Sequence, residues 1–302
     1  MAIARSESSA GNMVKFKLAA GMHALTEPLR FDDSVLASEI SIVGEPGAVI
    51  RLPLVSERRR RLSTYNGTNR AAILLSTRLL VQLKDVTFQG SASSFGVAAV
   101  VVESGELEMR NCTVRDVQGT RALHARGGTS TILSSLFEAN LAGAIVADSG
   151  SKLFIGGSAL VSNSAANGGA LAVTGDQTEV TVVATRIERN SAEVRGGGLY
   201  VSAGRVILAR GSLVEKNAAP DGAAMYLSGG RTVYALPAPS GRWVNTAVEM
   251  EVPSVEPGLK TLVASMLTEH SLQWPPWPPQ VVTLWLGLPF THHTLERGSQ
   301  TQ

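Results

Sequence analysis

The chain has 302 residues, of which 44% are hydrophobic, enough for a sizeable core and against global disorder. Aromatic residues make up 5% and charged residues 17%, while there are 30 glycines, so the core must come from Val, Leu, Ile and Ala with many tight corners. The net charge of +2, with a pI near 8.8, is too small an imbalance to indicate nucleic acid or an anionic surface as partner.

Residues 1–12 are polar, with no apolar run of the kind a signal peptide needs, and residues 1–13 are read as a disordered N-terminus. Strand signals begin at Val14, where Val14, Phe16 and Leu18 alternate with Lys15 and Lys17. Leu29, Phe31, Ile40, Ile42, Val49 and Leu52 follow, separated by turn formers, and read as the first, irregular coils. Arg58, Arg59, Arg60 and Arg61 open a polar stretch to Asn69, read as a protruding, solvated loop; contact with an anionic polymer is the alternative.

Regularity then sets in. Phe137, Leu160, Ile187 and Val214 are each followed three positions later by asparagine, at Asn140, Asn163, Asn190 and Asn217. These asparagines lie 23, 27 and 27 residues apart, and weaker copies precede them at Phe88 and Val114. A second strip runs in phase, with Val100, Leu123, Ile145, Leu171, Leu199 and Met225 at one position of each repeat. A third recurs at residues 107–109, 131–133, 153–155, 180–183 and 206–208. Three short strands per period of about 25 residues predict an all-β solenoid over residues 14–235, a right-handed parallel β-helix. One coil cannot bury its apolar face alone, but stacking gives every strand parallel neighbours and turns each inward position into a ladder. A propeller blade needs a longer period, and a sandwich would not repeat its side chains in register. The four asparagines are expected to form a structural ladder at a corner, each amide bonding the next.

The pairs of Phe137 with Asn140 and the run Gly168, Gly169, Ala170, Leu171 resemble the repeats of polymorphic outer-membrane proteins, within the wider pectin-lyase-like β-helix superfamily. Residues 19–51 resemble the opening turn of pectin-lyase-like proteins. The resemblance covers residues 82–234 and implies a β-helix displayed at a surface, secreted or cell-bound; it does not extend to that family's membrane barrel.

Beyond Tyr234 the pattern stops, and residues 236–302 are read as a C-terminal cap or tail. Leu259, Leu262, Val263, Met266 and Leu267 follow Pro257 at helical spacing, predicting a short amphipathic helix over residues 258–271. Trp274 and Trp277 sit among prolines that favour extended geometry. The apolar run at residues 281–290 is about half the ~20 residues of a membrane-crossing helix, so no membrane span is expected.

Chemistry is sparse. Cys112 is the single cysteine, which rules out an intrachain disulfide and a cysteine metal cage. His292 and His293 adjoin without a third ligand, Asp32 with Asp33 suits a turn, and no phosphate loop is present, so no metal or cofactor is expected. Asn66 and Asn111 stand in glycosylation-acceptor triplets. Glu188 and Glu215 fall one coil apart, with Arg189 and Lys216 beside them to neutralise the pair. On the second strip the outward series is Val101, His124, Val146, Ala172, Tyr200 and Tyr226, and its two tyrosines predict a flat aromatic platform. Glu103, Arg126 and Asp148 form the next outward series, read as a ladder of alternating charge. The candidate binding residues are therefore Tyr200, Tyr226 and His124. The leading function is a non-enzymatic surface module that binds glycan or protein, or serves as a structural spacer. The alternative is a polysaccharide lyase or glycoside hydrolase of the pectin-lyase-like kind.

Overall fold

The computed structural model describes residues 5–9, 13–54, 70–209, 211–228, 233–235 and 246–247. The first sheet has eight parallel strands, one per coil: Gly21–Ala24, Ala48–Arg51, Thr87–Gln89, Thr113–Arg115, Leu136–Glu138, Ala159–Val161, Arg186–Glu188 and Leu213–Glu215. Phe88, Val114, Phe137, Leu160, Ile187 and Val214 stand directly over one another in this sheet. Each is at most 1% exposed. The fold is thus a parallel β-solenoid, and the repeat counted along the sequence is its coil.

The second strip stacks in the same way through Leu123–Ala125, Ile145–Ala147, Leu171–Val173, Leu199–Val201 and Met225–Leu227. The third stacks through Thr129–Leu133, Lys152–Gly156, Glu179–Val183, Arg205–Leu208 and Val233–Ala235. Two long strands, Ala71–Lys84 and Ala98–Arg110, run through both strips, so their hydrogen bonds join them into one 16-stranded sheet. Inward aliphatics from all sides meet in one narrow core. Ser130 interrupts it: it is fully buried between Leu107 and Leu153, and its hydroxyl has no partner among the described residues.

Three strands per coil is an undercount for the later coils. Ser164–Asn167, Ser191–Arg195, Ala218–Ala219 and Thr246–Ala247 make a fourth strip, a parallel sheet of its own inserted between the first and second strips. At the other end, Met13–Leu18 pairs parallel with Glu39–Gly44, and Arg5–Ser9, inside the segment expected to be disordered, pairs antiparallel with it. The expected helix at residues 258–271, the Trp and Pro segment, and the Arg58 to Arg61 run all lie outside the described residues.

The asparagine column sets the first corner. Each amide nitrogen donates to the next amide oxygen, at 2.8 Å from Asn140 to Asn163, 2.9 Å from Asn163 to Asn190 and 3.0 Å from Asn190 to Asn217. The same oxygens accept the backbone N–H groups of Asn140, Asn163 and Asn190. The second hydrogens bond carbonyls of the preceding coil, from Val114 through Ile187. Left-handed backbone falls on the residue before each asparagine, at Ala139, Ser162, Arg189 and Lys216, with φ between 53° and 55°. Such a conformation costs about 1 kcal/mol or more for a non-glycine residue and persists because the buried amides fix the corner.

A second polar column, not singled out in the sequence, holds the opposite corner. Cys112, Ser135, Ser158, Thr185 and Ser212 precede the strands of the first sheet. The Ser135, Ser158 and Thr185 hydroxyls accept the backbone N–H of the residue one coil earlier and donate to the carbonyl two residues back.

Candidate functional site

Variation in corner length creates a groove. From the asparagine position to the first residue of the second-strip strand is five positions at Asn140 to Ile145, but eight at Asn163 to Leu171 and nine at Asn190 to Leu199. The short corner leaves the longer ones standing proud, and the extra residues form the sheet of the fourth strip. Ser164–Asn167 is the edge of that sheet, with Ser191–Arg195 on one side and, among the described residues, no strand on the other. The step borders an open groove of about 460 Å³, lined by Ala142, Val146, Ala165, Ala166, Ala172 and Tyr200 together with Arg121, Thr174 and Glu193.

Arg121 reaches across the step. Its guanidinium donates to the carbonyls of Asn167 and Gly168, two coils on. Gly143 on the intervening coil makes this passage possible, because a Cβ there would collide with the guanidinium. Desolvation pulls the Arg121 pKa down to about 10, a value at which the group remains charged at neutral pH. Two of its five N–H groups are thereby committed.

The predicted tyrosine platform is narrower than expected. Tyr200 and Tyr226 do stack, with ring centroids 5.8 Å apart and planes within 5°. Tyr226, however, is 1% exposed, so an outward position in the alternation is here a buried one. The reason is the fourth strip: Arg195 lies 4.9 Å from the Tyr226 centroid and is held by Asp221 at 3.4 Å. Tyr200 alone faces the groove.

His124 stands in register with Val146, one coil from the groove floor. Its Nε2 is 2.7 Å from Asp148 Oδ2 and 3.3 Å from Arg126 Nε. One nitrogen cannot both donate to the carboxylate and accept from the guanidinium, so the tautomer and charge of His124 choose between them. Burial holds its pKa below the usual 6.5, opposed by the Asp148 hydrogen bond. His124 thus meets both Arg126 and Asp148 of the next outward series.

Glu188 and Glu215 are in register. Glu188 is buried, and Arg189, Arg186 at 3.4 Å and Lys216 at 3.5 Å surround its carboxylate. Lys216 also holds Glu215 at 3.2 Å. These groups form a neutralised cluster on the first sheet, outside the groove. Among the described residues there is no group of three or more His, Cys, Asp or Glu side chains that could hold a metal ion. No described helix is long and apolar enough to cross a membrane.

Arg121 and Glu193 were absent from the sequence expectations because neither occupies a repeating position. The available signal was the change of coil length itself. Residues 71–236 match the family model described as a right handed β-helix region. Comparison with curated proteins and with solved structures finds no match to the chain.

Proposed function

From the premise that this chain belongs to the right-handed β-helix family, we propose that it is a binding module whose groove takes a segment of a protein partner. The observation that carries this reading is the edge of Ser164–Asn167, which opens into the groove at Ala166 between the Ser164 N–H, held by the Asn140 carbonyl, and the Asn167 carbonyl, held by Arg121. An unpaired strand edge offers backbone donors and acceptors to an extended chain, and the alanines around it let another backbone approach closely. A glycan would favour a broad aromatic platform, and burial of Tyr226 leaves one ring for it.

The test is to screen the purified protein against a displayed peptide library and a glycan array together. Ala166→Trp fills the groove, and Thr129→Trp alters an exposed position on the third strip as a control. Peptide ligands whose binding falls at least about tenfold with Ala166→Trp alone support the reading. Glycan ligands sensitive to Ala166→Trp, or no ligand in either screen, would overturn it.

The His124 and Asp148 pair favours a second reading, general-base chemistry on a polysaccharide lying along the same face. Release of unsaturated or reducing sugars, abolished by His124→Asn, would establish it.

A further inference from the structure

We infer that the segment taken by the groove is an extended strand of mixed charge, with an acidic side chain on Arg121 and a basic one toward Glu193. This rests on the peptide-binding reading above and adds the partner's chemistry to it. Two independent observations support it.

The first is geometric. At ~3.3 Å per residue, the edge strand Ser164–Asn167 spans about 13 Å, the length of a four-residue extended segment. Arg121 already satisfies the carbonyls at the far end of that edge, standing where the N–H groups of a neighbouring strand would stand. An incoming chain therefore pairs beside Ala166, past the Ser164 N–H that the Asn140 carbonyl holds, and meets the guanidinium at its end. Ala142, Val146 and Ala172 supply a shallow floor for small apolar side chains between the charges.

The second is electrostatic. Arg121 meets no carboxylate, and Glu193 no cation, among the described residues. A cation whose surroundings lower its pKa by desolvation gains from a carboxylate that replaces lost water. Glu193 on the longer corner is exposed and has the opposite sign. A uniformly acidic polymer would be attracted by one wall and repelled by the other. A segment carrying both signs complements the two.

The experiment uses the full chain and a phage-displayed library of random heptapeptides, sequenced after selection. Enriched peptides should carry one Asp or Glu and one Lys or Arg separated by small apolar residues. Glu193→Lys changes an exposed side chain, and thermal melting verifies that it leaves the fold intact. It should weaken a selected synthetic peptide about tenfold, measured by calorimetry, and changing that peptide's basic residue to Glu should restore affinity. Selected peptides that lack the charge pair, or whose affinity ignores Glu193→Lys while remaining sensitive to Ala166→Trp, would overturn the inference and leave the groove reading standing. Absence of any peptide ligand would sink both.

Discussion

Replacing Asn163 by alanine tests the corner on which coil stacking depends. Asn163 is 1% exposed, and its side-chain oxygen accepts the Asn140 backbone N–H at 3.1 Å and the Asn140 amide at 2.8 Å. Its nitrogen donates to the Phe137 carbonyl at 3.0 Å and to Asn190 at 2.9 Å. Truncation strands two buried donors on Asn140, while the Asn190 oxygen keeps the backbone N–H of residue 163. At roughly 1–3 kcal/mol for each unsatisfied buried group, with the left-handed Ser162 also losing its anchor, the expected loss is about 3–5 kcal/mol. That is a large part of the ~5–15 kcal/mol available to a folded domain. Equilibrium urea unfolding followed by far-ultraviolet circular dichroism should show a lower midpoint. Asn163→Asp refines the test, because it keeps one acceptor oxygen but places a carboxylate oxygen where the amide donated. Its folded pKa must rise above the unfolded value of about 3.9, so the deficit is complete above the raised pKa and shrinks as pH falls through it. A loss below about 1 kcal/mol for Asn163→Ala would refute the argument that these bonds hold the corner.

Four further outcomes are expected. Because burial depresses the His124 pKa, the unfolded chain binds its proton more readily, so stability is lost as pH falls from 6.5 toward the folded value; His124→Gln should flatten that part of the pH profile. Ser130→Val removes an unpartnered buried hydroxyl between two leucines and should raise stability by about 1 kcal/mol, read as a higher urea midpoint. Glu188→Gln should cost no more than ~1–2 kcal/mol despite its three cations, since Arg186, Arg189 and Lys216 are 52–55% exposed and return to water, with the loss shrinking as salt rises. Tyr226→Ala should cost about 3–5 kcal/mol and Tyr200→Ala much less, a ranking that thermal melts would reverse if Tyr226 were an exposed platform.

The inward ladders were legible because burial demands the same class of side chain at the same place in every coil. Leu123, Ile145 and Leu171 announce one another, and the recurring asparagines do so by chemistry as well as spacing. The fourth strip carries no such message. Ser164–Asn167 and Ser191–Arg195 pair through backbone groups that every residue has, and apart from the half-buried Asn167 and Arg195 their side chains are small or exposed. The hydroxyl column escaped notice because Ser and Thr are common in turns, and its Cys112 member disguises the series. Tyr226 misled because alternation assigns a side to each residue but does not reveal what another element lays over that side.

The asparagine amides all face one way, each nitrogen directed at the coil that follows. The column therefore has a head and a tail, as a zip has, and its oxygen-bearing head is met by the Val117 N–H. Two copies of this solenoid abutted in opposed senses would bring like poles together, whereas added turns can continue it in one sense. Any lengthening of the rod is consequently vectorial and comes in whole coils, each adding about 4.8 Å.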